Sequence, residues 1–117
     1  MMKDDEIDDL IERHMRASHS LDLDSFMETW AEDAEFTYLI SNKTVKGKEN
    51  LRPFFQETMF APVTKLKTEI TQQVRFNNFR TYVERVVECS NPDYVGLEFH
   101  WTLEFEDGKI KRLWTLQ

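Results

Sequence analysis

From Val95 to Phe105 the chain alternates: Val95, Leu97, Phe99, Trp101, Leu103 and Phe105 fall on one side, Glu98, His100, Thr102 and Glu104 on the other. A period of two places all those apolar side chains on one face of a strand, so this segment requires a sheet with one covered face and one polar face. Asp107-Gly108 follows, a pair suited to a tight hairpin turn, and residues 109–117 supply the returning strand. Upstream, Leu66, Thr68, Ile70, Gln72, Val74 and Phe76 alternate with polar residues. Asn77-Asn78 then turns the chain into a strand over about residues 79–89, and Asn91-Pro92-Asp93 turns it again. The later part of the chain is therefore expected to be a meander of four long antiparallel strands.

The first part has another period. Ile7, Leu10, Ile11, His14 and Met15 recur at helical spacing within residues 4–18, with Asp4, Asp5 and Glu6 at the positive end of the helix dipole. A second helix is predicted from about Asp22 to Ala31, capped by Asp22 or Ser25, with Leu23, Phe26 or Met27, and Trp30 as its inner stripe. Ala34, Phe36, Tyr38 and Ile40 then alternate as a strand, Ser41-Asn42-Lys43 turns, and Thr44–Lys46 forms a short strand. Gly47 precedes a third helix over about residues 48–60 carrying Leu51, Phe54, Phe55 and Met59; Pro53 within it predicts a late start or a kink. Helices first and strands last indicate an α+β domain: three N-terminal helices packed on the concave face of a strongly curved, mostly antiparallel sheet. Such a cone has an open mouth, where ligands bind. A length of 117 residues with 40% apolar residues suits one domain over residues 1–117.

Charge narrows the class of partner. The net charge is −7, and residues 1–36 carry 12 acids against 3 bases while residues 37–90 carry 9 bases against 5 acids. An acidic chain repels phosphate backbones, and the central bases are interleaved with acids (Lys67-Thr68-Glu69, Glu84-Arg85), so no nucleic-acid partner is expected. No apolar run approaches the ~20 residues that span a bilayer, and the start is acidic with no apolar signal core, so no membrane partner is expected and the cytoplasm is the default compartment. One cysteine, Cys89, cannot pair internally. Three scattered histidines lack ligand spacing, so neither a metal nor another cofactor is expected.

The order of these segments is familiar. Leu21-Asp22-Leu23-Asp24-Ser25-Phe26, Trp30-Ala31-Glu32-Asp33-Ala34-Glu35-Phe36, and Gly47-Lys48-Glu49-Asn50-Leu51 with Phe54-Phe55 resemble the nuclear transport factor 2-like superfamily, in its SnoaL-like (polyketide-cyclase-like) and ketosteroid-isomerase-like branches. The resemblance spans nearly the whole chain. It implies the cone fold, a cofactor-free isomerase, dehydratase or cyclase, or a non-catalytic module, and a homodimer through the outer sheet face. In the slots that the isomerase fills with a helical tyrosine and two aspartates, this chain has His14, Tyr38 and Trp101. The resemblance thus points to a site without carboxyl groups, in which His14 moves a proton and Tyr38 donates a hydrogen bond to developing oxyanion charge. Trp30, Phe55, Leu97, Phe99 and Trp101 would shape a pocket for a small hydrophobic carbonyl or hydroxyl compound.

Each residue also has a plainer reading. His14 can be a core histidine bonded to a backbone carbonyl or a tyrosine, Tyr38 a core phenol, and Trp30, Trp101 and Trp114 core filler. His19 and His100 are expected at the surface or an interface, and Asp33 as a hydrogen-bonding group at the junction of helix and strand. Arg85 and Arg112 share phase with Val83 and Val87 and with Ile110 and Trp114. They either point inward or sit at a bulge that flips the strand, the bulge being favoured. Tyr82, Val86 and Leu113 are expected on the outer face. The competing function is a ligand-binding or dimerisation module that performs no chemistry.

Overall fold

Helix α1 (Asp4–His19) buries Ile7, Leu10, Ile11, His14, Ala17 and Ser18, the stripe expected from their spacing. A computed structural model describes residues 2–117 and continues with α2 (Leu23–Glu28), β1 (Trp30–Tyr38), β2 (Lys43–Lys46), α3 (Lys48–Phe55), a π-helical turn (Gln56–Phe60), β3 (Leu66–Phe76) and β4 (Phe79–Cys89). A 3₁₀ turn (Pro92–Tyr94), β5 (Glu98–Glu106) and β6 (Lys109–Thr115) complete it. The strands form one curved sheet in the order β2-β1-β6-β5-β4-β3. All neighbours are antiparallel except β1 and β6, which run parallel. Helices cover one face, so the architecture is the α+β roll that the periods imply.

The structure moves several boundaries. Asp22 is the cap of α2, accepting from the Ser25 amide at 3.1 Å and the Ser25 hydroxyl at 2.8 Å. That helix ends before Trp30, because Trp30 already pairs with Ile110 and the Ile110 amide donates to Thr29 O at 2.8 Å. Trp30 and Ala31 therefore belong to β1. Ile40 lies beyond the end of β1 and is 77% exposed. Val95 and Leu97 precede β5 in the loop around Gly96. The third helix starts at Lys48, not late, and Pro53 sits inside it. Its last turn is widened, with the Ala61 amide donating to Gln56 O at 2.8 Å, which lets Phe55 and Phe60 reach the core while Met59 packs against it. The Asp107-Gly108 hairpin has φ of 51° and 77°, the left-handed pair that a tight hairpin turn requires.

The largest correction concerns phase. On β4 the buried row is Arg80, Tyr82 and Val86, with Glu84 between, so Arg85 points outward with Val83 and Val87. Tyr82, Val86 and Leu113 are 2%, 4% and 4% exposed and belong inside, not on the outer face. At Arg112 the bulge is present: Glu104 pairs with Arg112 but Phe105 with Ile110, so Lys111 is the extra residue. Arg112 thereby turns outward and pairs with Glu104 at 2.5 Å and Glu35 at 3.6 Å. Two register shifts in the β3–β4 ladder carry the tip of β3 away from the core, leaving Val74 and Phe76 at 65% and 70% exposure. Arg80, fully buried, anchors the start of α1 to this hairpin through Asp4 at 2.6 Å and the carbonyls of Asn77 and Phe79 at 3.0 and 2.7 Å. Among the described residues no helix is long and apolar enough to cross a membrane.

Candidate functional site

Between the helices and the concave sheet face lie two hollows of different size. The outer one is a cavity of about 320 Å³, at the small end of ligand sites. Its wall is mainly apolar: Phe36 and Tyr38 from β1, Phe54 from α3, Met59 from the π-helical turn, Val86 from β4, and Phe99 and Trp101 from β5. Tyr94 and Leu97, both more than a third exposed, contribute to its lining. The inner hollow, about 20 Å³, admits a single water at most and is lined by His14, Met15, Phe26, Trp30, Phe55 and Tyr82. Ser18, Phe36, Met59, Glu84 and Trp101 border both.

His14 and Tyr38 are consequently not brought to one cavity. His14 borders the inner hollow, where its ring packs 4.4 Å from that of Phe26 and 5.9 Å from that of Trp30. The Thr29 hydroxyl donates to Phe26 O at 2.7 Å, so its oxygen accepts from His14 Nδ1–H at 3.0 Å. Burial lowers the His14 pKa from 6.5 to about 3. A neutral imidazole locked in this way is a core histidine, and it is the wrong group to carry a proton near neutral pH. It also ties stability to acidity. The unfolded chain binds a proton below pH 6.5 that the folded chain refuses until about pH 3, so stability falls as pH drops through that window. At pH 4.5 the loss amounts to roughly 3 kcal/mol. His14→Asn, which keeps a donor toward Thr29, is expected to flatten this dependence in urea unfolding measured at pH 7 and pH 4.5.

Tyr38 borders the outer cavity, and partial burial raises the pKa of its phenol above 10.0, so it remains a hydrogen-bond donor at neutral pH. Of the five residues expected to shape the pocket, Leu97, Phe99 and Trp101 line the outer cavity. Trp30 and Phe55, both fully buried, border the inner hollow and not the outer cavity, and act as core. Phe54, one residue earlier, takes the place expected of Phe55. Trp114 lies on the outer face, stacked on Phe79 at 6.3 Å. Asp33 pairs with Lys111 at 2.5 Å, across the junction between β1 and β6.

The expectation of a site without carboxyl groups is overturned by Glu84. This side chain enters the cavity from β4, and two groups hold it: Trp101 Nε1 donates at 2.7 Å to one oxygen, and the Thr68 hydroxyl lies 2.5 Å from the other. No cation among the described residues forms an ion pair with it. Desolvation raises its pKa above 4.5, and the hydrogen bonds from Thr68 and Trp101 oppose that shift without cancelling it. The signal was in the sequence, in the run Arg80, Tyr82, Glu84, Val86 at period two, but the more apolar Val83 and Val87 suggested the opposite face. Among the described residues no three His, Cys, Asp or Glu side chains converge as metal ligands do. The arrangement places a carboxyl group whose pKa is raised by burial and a phenol donor on the wall of one mainly apolar cavity.

Comparison with known proteins places the fold. The chain superposes on a SnoaL-like protein of unknown function from Burkholderia thailandensis with a TM-score of 0.78 at 14% identity, covering 98% of this chain and 97% of that one. A provisionally named ketosteroid isomerase from Kribbella flavida gives 0.77 at 15% identity over 96% and 77% of the two chains. A provisionally named polyketide cyclase from Sinorhizobium meliloti gives 0.74 at 17% identity over 94% and 97%. At such identities the likeness is one of fold. Among curated proteins none matches significantly. The sequence pattern of the SnoaL-like domain matches residues 11–113, most of the chain, and the protein belongs to the SnoaL-like domain family.

Proposed function

We propose that the protein binds a compact, largely apolar carbonyl or hydroxyl compound in the outer cavity and moves a proton on it without a cofactor, as an isomerase, dehydratase or cyclase does. Glu84 takes the role expected of His14, accepting and returning the proton, and Tyr38 donates a hydrogen bond to the oxygen that gains charge. Leu97, Phe99 and Trp101 hold the ligand. The single observation that supports this reading is Glu84 itself: a carboxyl group without a cation, on the wall of an apolar cavity, with its pKa raised toward the range useful for proton transfer. The test is deuterium incorporation from D₂O into a panel of small ketones and enones, read by mass spectrometry. Wild type is expected to label at least one compound faster than buffer does, and Glu84→Gln to lose that excess.

The second reading is a binding module that does no chemistry. The small number of polar groups facing the cavity favours it. Ligands that bind, as reported by Trp101 fluorescence, yet take up no deuterium would establish it.

A homodimer and a cytoplasmic setting belong to the same reading. The outer sheet face, where Phe79, Val83, Val87 and Trp114 are gathered, offers an apolar surface for a second copy. Sedimentation is expected to give a dimer for wild type and a monomer for Val83→Lys. The single cysteine is in keeping with a reducing compartment.

A further inference from the structure

Glu84 is also connected to the outside. Thr68 Oγ1, 2.5 Å from Glu84 Oε2, is 2.8 Å from His19 Nε2 at the end of α1. The backbone N–H of Thr68 donates to that same His19 nitrogen at 3.1 Å. Thr68 is buried and His19 only half-buried, so three side chains in series run from the cavity to the surface.

Counting hydrogens fixes what this series can do. A hydroxyl owns one proton, and an imidazole nitrogen either donates or accepts. If His19 Nε2 accepts from the Thr68 amide, it carries no hydrogen, and the Thr68 hydroxyl must donate to it. The hydroxyl then offers Glu84 only a lone pair, so the carboxyl group must be protonated, and the hydrogen of neutral His19 sits on Nδ1. When Glu84 is ionised, the hydroxyl turns to donate to the carboxylate, His19 satisfies the hydroxyl oxygen only with a hydrogen on Nε2, and the Thr68 amide gives up its bond to that nitrogen.

We propose that Glu84, Thr68 and His19 form a proton relay between cavity and surface, in which ionisation of Glu84 switches the tautomer of His19. Outward transfer breaks the Glu84 Oε2–H bond and forms one at Thr68 Oγ1, while the threonine's own proton passes to His19 Nε2. The imidazolium so formed gives its Nδ1 proton to water, leaving a carboxylate, an intact hydroxyl and a neutral Nε2–H imidazole. The reverse sequence reloads Glu84. The relay's use in turnover rests on the proposed role of Glu84, whereas the tautomer switch stands on hydrogen-bond geometry alone. His19 is a positioning and relaying residue and touches no ligand.

The other titratable groups nearby do not imitate the switch. From α1, His14 stays neutral down to about pH 3; from β4, Tyr82 is pushed well above 10.0; from β3, Lys67 is a cation that adds to burial in lowering the His19 pKa. Glu84, pushed up from 4.5 by burial, and His19, pushed down from 6.5, are left as the pair whose shifts converge.

The experiment is an NMR titration of uniformly ¹³C,¹⁵N-labelled protein, following Glu84 Cδ and the two ring nitrogens of His19. In wild type His19 is expected to pass from the Nδ1–H to the Nε2–H form with the same midpoint as Glu84. In Glu84→Gln the amide N–H replaces the carboxyl hydrogen toward Thr68, so neutral His19 is expected to remain Nδ1–H at every pH. A His19 that keeps one neutral tautomer while Glu84 ionises overturns the relay, and so does a wild-type switch that persists in Glu84→Gln. A switch seen in a protein that labels no ketone overturns the catalytic reading and leaves the relay standing. Labelling without a switch does the reverse.

Discussion

Glu84→Gln is expected to lower proton transfer to the ligand by about 10²–10⁴-fold, the range over which a positioned acid–base group acts. Ligand affinity should change little, because glutamine keeps the size of the side chain and an oxygen for Trp101 Nε1. The same variant should be more stable than wild type at neutral pH. The carboxyl pKa is raised in the fold, so the folded chain holds a proton that the unfolded chain releases above about pH 4.5. Its contribution to stability is complete below that pH and is lost as pH rises through the folded value, leaving a buried carboxylate whose desolvation opposes folding. Glutamine removes that cost. Denaturant unfolding across pH 4–8 should show wild type and variant converging in acid and separating toward neutrality. Retained turnover in the variant would end the assignment of Glu84 as the proton carrier, and a constant stability difference would end the account of its pKa. His14 runs the other way, weakening the fold in acid, so the two groups must be compared through their separate variants.

Trp30→Ala is expected to cost about 3–5 kcal/mol of stability, the usual loss for removing a large buried aromatic. The indole is fully buried, with its ring centroid 5.0 Å from that of Phe55 and 6.2 Å from that of Phe26, so truncation opens a hole at the centre of the helix–sheet interface. Its Nε1 has no hydrogen-bond partner among the described residues. Trp30→Phe therefore gives up volume but no bond, and should cost only about 1–2 kcal/mol. Equilibrium unfolding in urea measures both. If Trp30 were a ligand contact and not core, its alanine variant would bind ligand poorly while unfolding at the wild-type midpoint.

The fold was readable because its signals are local and repeated. The stripe of α1, the unbroken alternation of Phe99 to Phe105 and the Asp107-Gly108 turn each state a single conformation, and the structure agrees with all three. The end of α2 was not readable, since Trp30 fits a helical stripe as well as it fits a strand, and a partner nearly eighty residues away decides the matter. The site was legible only in part. Tyr38, Leu97, Phe99 and Trp101 reach the outer cavity because β1 and the β5 region follow the apolar-inward rule. On β4 that rule fails: a strand that walls a cavity turns Glu84 inward and leaves Val83 and Val87 for the outer face, so hydrophobicity names the wrong side. The spacing places His14 on the buried face, but only the depth of its burial shows that it is held neutral. A pattern of side chains can say which face is covered. It cannot say where the covered space is hollow.

The parallel pairing of β1 with β6 has a consequence for how the molecule is made. These two neighbours in the sheet are separated in sequence by β2, α3, β3, β4 and β5, so the chain between them must close before either is secure, at an entropic cost that grows slowly with its length. During synthesis, β1 waits with one edge open until β6 emerges. Until then the early helices have no finished sheet to cover, and the nascent chain depends on whatever shields that edge.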